Sequence, residues 1–178
     1  EVFANPLGTD SCKEFVELVA TRFIDFASTP YTVIFSNNGI ASSKGWVAGV
    51  AKTYAFLINT GTVNAGDVVY VGGSAMIPLT NRIRVINTAA VPGDGGIGSS
   101  VAGGVLGNGG ANADGVAVFN IPVGSIDSST IPIDALFFGA GPNCGTAVVA
   151  GGLQGYQLPI NDHYPGGKLQ TASFFGPD

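Results

Sequence analysis

Apolar residues fall along this chain in short runs broken by Gly, Pro, Asn and Asp. Within the runs Val, Ile, Thr, Tyr and Phe dominate, the residues that suit a pleated, half-buried surface. Short β-prone runs bounded by turn residues are the mark of strands rather than helices. The pattern predicts strands over Val2–Asn5, Glu14–Val19, Tyr31–Ser36, Thr53–Asn59, Val68–Val71, Arg82–Asn87, Val116–Ile121 and Ala135–Gly139, with Gly155–Leu158 as a further candidate. One stretch reads two ways. "CKEFVELVATRFIDF" places Phe15, Leu18, Val19 and Arg22 at helical spacing, yet as a strand it sets Phe15, Glu17 and Val19 on one face and Glu14, Val16 and Leu18 on the other. The strand is preferred for its first part.

Two Gly-rich stretches, "AAVPGDGGIGSSVAGG" (Ala89–Gly104) and "GPNCGTAVVAGG", read as loops. No fixed-period repeat and no linker divides the chain, so residues 1–178 are taken as one all-β domain. No apolar run approaches the ~18 residues of a membrane helix. The chain opens on "EVFANP" without an initiator Met or a visible signal peptide, as a processed mature form or a trimmed one would.

Composition sharpens the picture. Charged residues are 11% of the chain, and 28 residues are Gly. A typical globular chain carries roughly 25% charge. The surface must therefore consist largely of Gly, Ala, Ser, Thr, Asn and some apolar groups. Such a surface suits either a stable secreted domain with a neutral coat or one packed against other copies. The net charge is −5, and the seven basic residues are scattered. Nucleic-acid binding needs a basic stripe, which is missing. Arg82 and Arg84 would share one strand face, which fits an exposed edge better than an anion site.

Candidate chemistry is sparse. The single histidine, His163, has Asp162 as sequence neighbour, which does not orient it as a catalytic triad requires, and there is no nucleophile elbow. Glu14 and Glu17 point to opposite faces of a strand, so they form no local acid/base pair; partners from separate strands, such as Asp67 or Asp134, stay open. One His and two distant Cys make no zinc site. Cys12 and Cys144 fit no redox motif; in an oxidising compartment they would pair, the reading preferred over two packed thiols.

The stretch "GNGGANADGVAVF" lacks the Lys of a phosphate loop. Asn108, Asn112 and Asp114 offer oxygen ligands of the kind calcium takes, with help from a residue such as Asp94. The plainer reading is a turn, with Asp-Gly leading into a strand. No other cofactor is expected. Exposed aromatics would mark a ligand platform, for which Trp46, Tyr54, Tyr156 and Tyr164 are the candidates. Trp46 is equally a core candidate.

Several stretches in order resemble the lamin-tail domains of secreted bacterial surface proteins. "EVFANPLGTDSCKEFVELV" resembles the family's opening strands, and "VNAGDVVYVGGS" its strand after an Ala-Gly-Asp turn. "GNGGANADGVAVFN" and "IDALFFGAG" resemble two later strands, and "YQLPINDHYPGGKLQTASFFGPD" is similar to endings found in such proteins. The resemblance implies an immunoglobulin-like β-sandwich that binds or builds rather than catalyses. Ala89–Gly104 and the part after Gly139 depart from the typical domain.

These readings converge on a non-catalytic extracellular or cell-surface subunit that self-assembles into a fibre or surface layer. Its terminal segments are short, β-prone and apolar. Glu1, Val2, Phe3, Leu169, Phe174 and Phe175 are the assembly candidates, adding strands to a neighbour's sheet or completing their own. The partner is then the chain itself, or other surface proteins. The alternative is a secreted binding or adhesion module for a glycan or a protein.

Overall fold

The structure is a computed structural model that describes residues 2–3, 14–36, 46–48, 53–72, 83–85, 114–127, 129–139, 148–151, 154–157 and 171–175. The described chain is all-β. Its strands are β1 (Val2–Phe3), β2 (Phe15–Val19), β3 (Ile24–Asp25), β4 (Tyr31–Ser36), β5 (Thr53–Ile58), β6 (Thr62–Val63), β7 (Val68–Gly72), β8 (Ile83–Val85), β9 (Asp114–Phe119), β10 (Asp134–Gly139), β11 (Val148–Gly151), β12 (Gln154–Gln157) and β13 (Thr171–Phe175). One 3₁₀ turn, Val123–Ser125, follows Pro122. Among the described residues no helix is long and apolar enough to cross a membrane.

Two larger sheets carry the fold. A four-stranded sheet runs β1-β2-β7-β8 and a five-stranded sheet runs β13-β10-β9-β4-β5. All pairings are antiparallel except β7 with β8. Two small ribbons, β3 with β6 and β11 with β12, complete the pairing. The stretch 12–26 resolves as a strand over Phe15–Val19 rather than a helix, because pairing with β7 along its whole length satisfies its backbone.

Strand alternation sorts the side chains. Tyr31, Val33 and Phe35 of β4, Tyr54, Phe56 and Ile58 of β5, and Val116 and Val118 of β9 share one apolar cluster with Val16 of β2 and Val69 and Val71 of β7. That cluster thus draws on both larger sheets. Phe35 stacks obliquely on Phe56 at 5.1 Å, and Phe26 meets Tyr31 edge-on at 5.5 Å. The opposite parity on the five-stranded sheet gives a second cluster: Ile34, Ala55, Ala117, Phe119 and Ala135, covered by Trp46 and Ile126.

Local chemistry fixes the turns. Gly66 at φ +86° lets residues 64–67 fold back, and Asp67 accepts the Asn64 N–H at 2.8 Å. The Ala-Gly-Asp turn expected before β7 is therefore present. Gly72 is required by contact: a Cβ there would lie 2.7 Å from Phe15 Cα and collide with the Glu14 carbonyl oxygen.

Several expectations need correction. The strand expected at Val116–Ile121 spans Asp114–Phe119. Asp114 and Gly115 are strand residues, because pairing with Phe138 and with Ser36 and Phe137 on the two flanking strands extends the ladder to them. Asp-Gly is not a hairpin turn here. The stretch "GPNCGTAVVAGG" is not all loop: Val148–Gly151 pairs with Gln154–Gln157 as a hairpin. Ile24–Asp25 and Thr62–Val63 are too short to leave a pattern, and both escaped the sequence reading.

Candidate functional site

The ends of several strands converge on one cleft. β2, β5 and β9 finish there, and β4, β7 and β10 begin there. The cleft has a volume of about 740 Å³. That falls in the roughly 300–1,000 Å³ range of small-ligand sites. Leu18, Phe26, Ile58, Val63, Val69 and Val118 make its walls apolar. Glu17, Arg22, Asn120 and Asp134 supply its polar groups.

Backbone hydrogen bonds shape its border. The Ala20 N–H donates to Asp67 O at 2.9 Å and the Gly66 N–H to Ala20 O at 2.7 Å, carrying the β2–β7 pairing past the strand ends. The Ile133 N–H donates to Val118 O at 2.8 Å and does the same for β9 and β10. Two aspartates tie the adjacent loops. Asp25 accepts from the Ser28 hydroxyl at 2.8 Å and the Ala27 N–H at 3.0 Å, and these bonds hold its carboxyl below the ordinary value. Asp127 accepts from the Ser129 hydroxyl and N–H and from the Thr130 hydroxyl, with the same effect.

The rim is unusual for its exposure. The four large hydrophobics exposed among the described residues are Val19, Phe23, Ile131 and Ile133. Val19 and Ile133 line the cleft, and Phe23 and Ile131 lie within two residues of lining positions. Val19 is 60% exposed and Phe23 is 62% exposed. Single exposed apolar groups are normal on a protein surface; here four lie at or near the cleft lining. The sequence held a signal for it: Val19 is apolar on the strand face that Glu17 occupies.

Asp134 is a partly buried carboxyl of the cleft. Burial raises its pKa, partly offset by the Ala135 N–H. Its Oδ1 has no hydrogen-bond partner among the described residues. Glu17 accepts the Tyr70 hydroxyl at 2.5 Å, on the strand pair Glu17↔Tyr70. Glu14 and Asp114 are buried where β2 and β9 begin, at the end of the sheets opposite the cleft. Among the described residues no three His, Cys, Asp or Glu gather as a metal site.

The residues singled out from sequence divide sharply. Trp46 is fully buried, edge-on to Phe119 at 6.4 Å, and Tyr54 is buried in the main cluster. Both are core side chains, not an exposed platform, because strand parity and the sheet face claim them. Tyr156 lies in β12. Asp114 is buried as the first residue of β9. Asp67 closes its own turn. Val2 and Phe3 form β1, and Phe174 and Phe175 belong to β13; each strand pairs within the chain's own sheets and stands at a sheet edge among the described strands. Arg84 lies in β8. Cys12, Cys144, Asn108, Asn112, Asp94, Arg82, Asp162, His163, Tyr164, Glu1 and Leu169 lie outside the described residues. Comparison with protein-family models, with curated proteins and with solved structures finds no match to this chain.

Proposed function

We propose that this chain is a lamin-tail-like β-sandwich of the immunoglobulin type, acting outside the cell as a non-catalytic structural subunit that assembles with its own copies into a fibre or layer. One observation carries the reading. Among the described strands, β1 and β13 stand at the edges of two different sheets, where a neighbour's backbone can pair. The apolar cluster shared by the two larger sheets supports the sandwich. Seven basic and twelve acidic residues in 178 leave little charge to keep copies apart.

Negative-stain microscopy of purified chain, with size-exclusion chromatography over a concentration series, tests this. Filaments or sheets, and a mass rising with concentration, are expected. A monodisperse monomer at high concentration sinks the assembly reading.

The cleft and its apolar rim favour a second reading, a module that binds a protein partner rather than a glycan, since Trp46 and Tyr54 offer no stacking surface. On that reading the chain stays monomeric, and Phe23→Ser weakens partner binding without lowering Tm. An unchanged affinity in that variant removes it.

A further inference from the structure

The cleft is walled by residues from both larger sheets, so its floor is the core itself. Ile58, Val63 and Val69 line it and are at most 4% exposed. Apolar walls of this kind gain free energy when an apolar body covers them. Its lining also holds three charged groups, Glu17, Arg22 and Asp134. They are not equivalent. Glu17 already accepts the Tyr70 hydroxyl at 2.5 Å. Arg22 is exposed and keeps its charge in water. Asp134 is partly buried, and its Oδ1 is buried with no hydrogen-bond partner among the described residues. A buried acceptor without a donor costs free energy, which a donor on a ligand would restore. Phe26 and Tyr31 line the same cleft, and aromatic rings attract a cation held within about 6 Å of their faces.

We propose that the cleft binds a small apolar amine: its protonated nitrogen donates to Asp134 Oδ1, and its hydrocarbon body lies on the apolar walls. The head group is a cation rather than an anion, because the unpartnered acceptor is buried while the one basic group of the lining stands in solvent. A charge-assisted hydrogen bond to a carboxylate is stronger than a neutral one, which favours an ammonium over a hydroxyl. Val19 and Ile133 carry apolar surface out to the rim, where the outer part of the body lies. The site requires neither assembly of copies nor a protein partner.

Octylammonium is the probe, with octanol and octanoate as bodies of the same length carrying a neutral and an anionic head. Titration calorimetry on the whole chain is expected to show saturable binding of octylammonium, about tenfold or more tighter than octanol, with octanoate weakest. Asp134→Asn keeps the size of the side chain and should abolish that preference while octanol binds as before. In the parent chain, methyl NMR shifts on adding octylammonium should fall on Val63, Val69 and Val118, a readout that needs no variant. No saturable binding overturns the proposal, as do shifts confined to residues outside the cleft. Octanoate binding as tightly as octylammonium would assign the head-group contact to Arg22 and overturns it too. A preference for octylammonium that survives in Asp134→Asn removes Asp134 as the acceptor and with it the proposal.

Discussion

On the face that the five-stranded sheet turns toward β2 and β7, strands β4, β5 and β9 present Val33, Phe35, Phe56, Ile58, Val116 and Val118. On the opposite face the same strands, with β10, present a cross-strand row of Ala135, Ala117, Ile34 and Ala55. The large side chains form the cluster shared with β2 and β7. The row of small ones leaves a shallow floor on which Trp46 and the residues after Phe119 lie close to the backbone. A single sheet thus carries large side chains on the face whose cluster includes β2 and β7 residues and mostly small ones on the face under Trp46. The difference is written in side-chain volume at alternate positions.

The largest expected effect breaks the first face. Phe35 is fully buried against Phe56. Phe35→Ala removes that contact and opens a cavity, and should lower stability by about 3–5 kcal/mol in urea unfolding. A loss below about 1 kcal/mol would mean that the two sheets do not close on each other at this point.

The second effect tests the floor of the other face. Ala117 is fully buried in the central strand β9, between Ala135 and Ile34. Ala117→Leu adds volume exactly where the row is low, displacing Trp46. A loss of about 1–3 kcal/mol is expected from overpacking. A blue-shifted Trp46 emission in the parent should move toward longer wavelength in the variant. The same exchange at Val116, which faces the sheet-to-sheet core, should leave that emission unchanged.

The strands that carry this contrast were legible in the sequence. The sequence runs "YTVIFS" and "TYAFLI" carry the alternation that separates the faces, and both strands lie within the spans it predicts. The Ala-Gly-Asp turn was expected from the resemblance, and Gly66 and Asp67 meet its local backbone demand. What escaped was set by tertiary partners. Asp114 and Gly115 look like a turn by residue type, but two flanking strands pair with them. Trp46 looked equally suited to a surface platform and a core, and only the small residues of three other strands decide for the core. The cleft depends on strands ending together, which no local pattern records; Val19 and Phe23 hinted at it only by being apolar beside charged neighbours.

A smaller effect separates two threonines on the alanine-lined face. Thr32 donates its hydroxyl to the Ile121 carbonyl at 2.7 Å, pinning the chain after β9 onto the sheet. Thr53 Oγ1 is buried and has no partner among the described residues. Thr32→Val should therefore cost about 1 kcal/mol, because it orphans the carbonyl. Thr53→Val should be neutral or stabilising by about 1 kcal/mol. Equal losses in the two variants, measured by thermal or urea unfolding, would show that the two hydroxyls are equivalent.

The smallest effect concerns Asp134, at the cleft where the two faces end. Its pKa is raised above 3.8 by burial, so the folded chain binds its proton more tightly than the unfolded chain does. Between the two values folding takes up a proton, and stability falls as pH rises through that window. The penalty is complete above the folded value and absent below the unfolded one. Asp134→Asn removes it, so the variant should be the more stable at pH 7, by less than about 1 kcal/mol because the carboxylate is partly solvated. The advantage should shrink toward pH 3. Asp25 and Asp127, whose carboxyls are held low by their turn hydrogen bonds, act with the opposite sign: their contribution is present above 3.8 and is lost as pH falls through their folded values. They are common to both chains, so the difference between parent and variant cancels them. A variant advantage that grows as pH falls would assign the buried charge at this end of the sheets to another group.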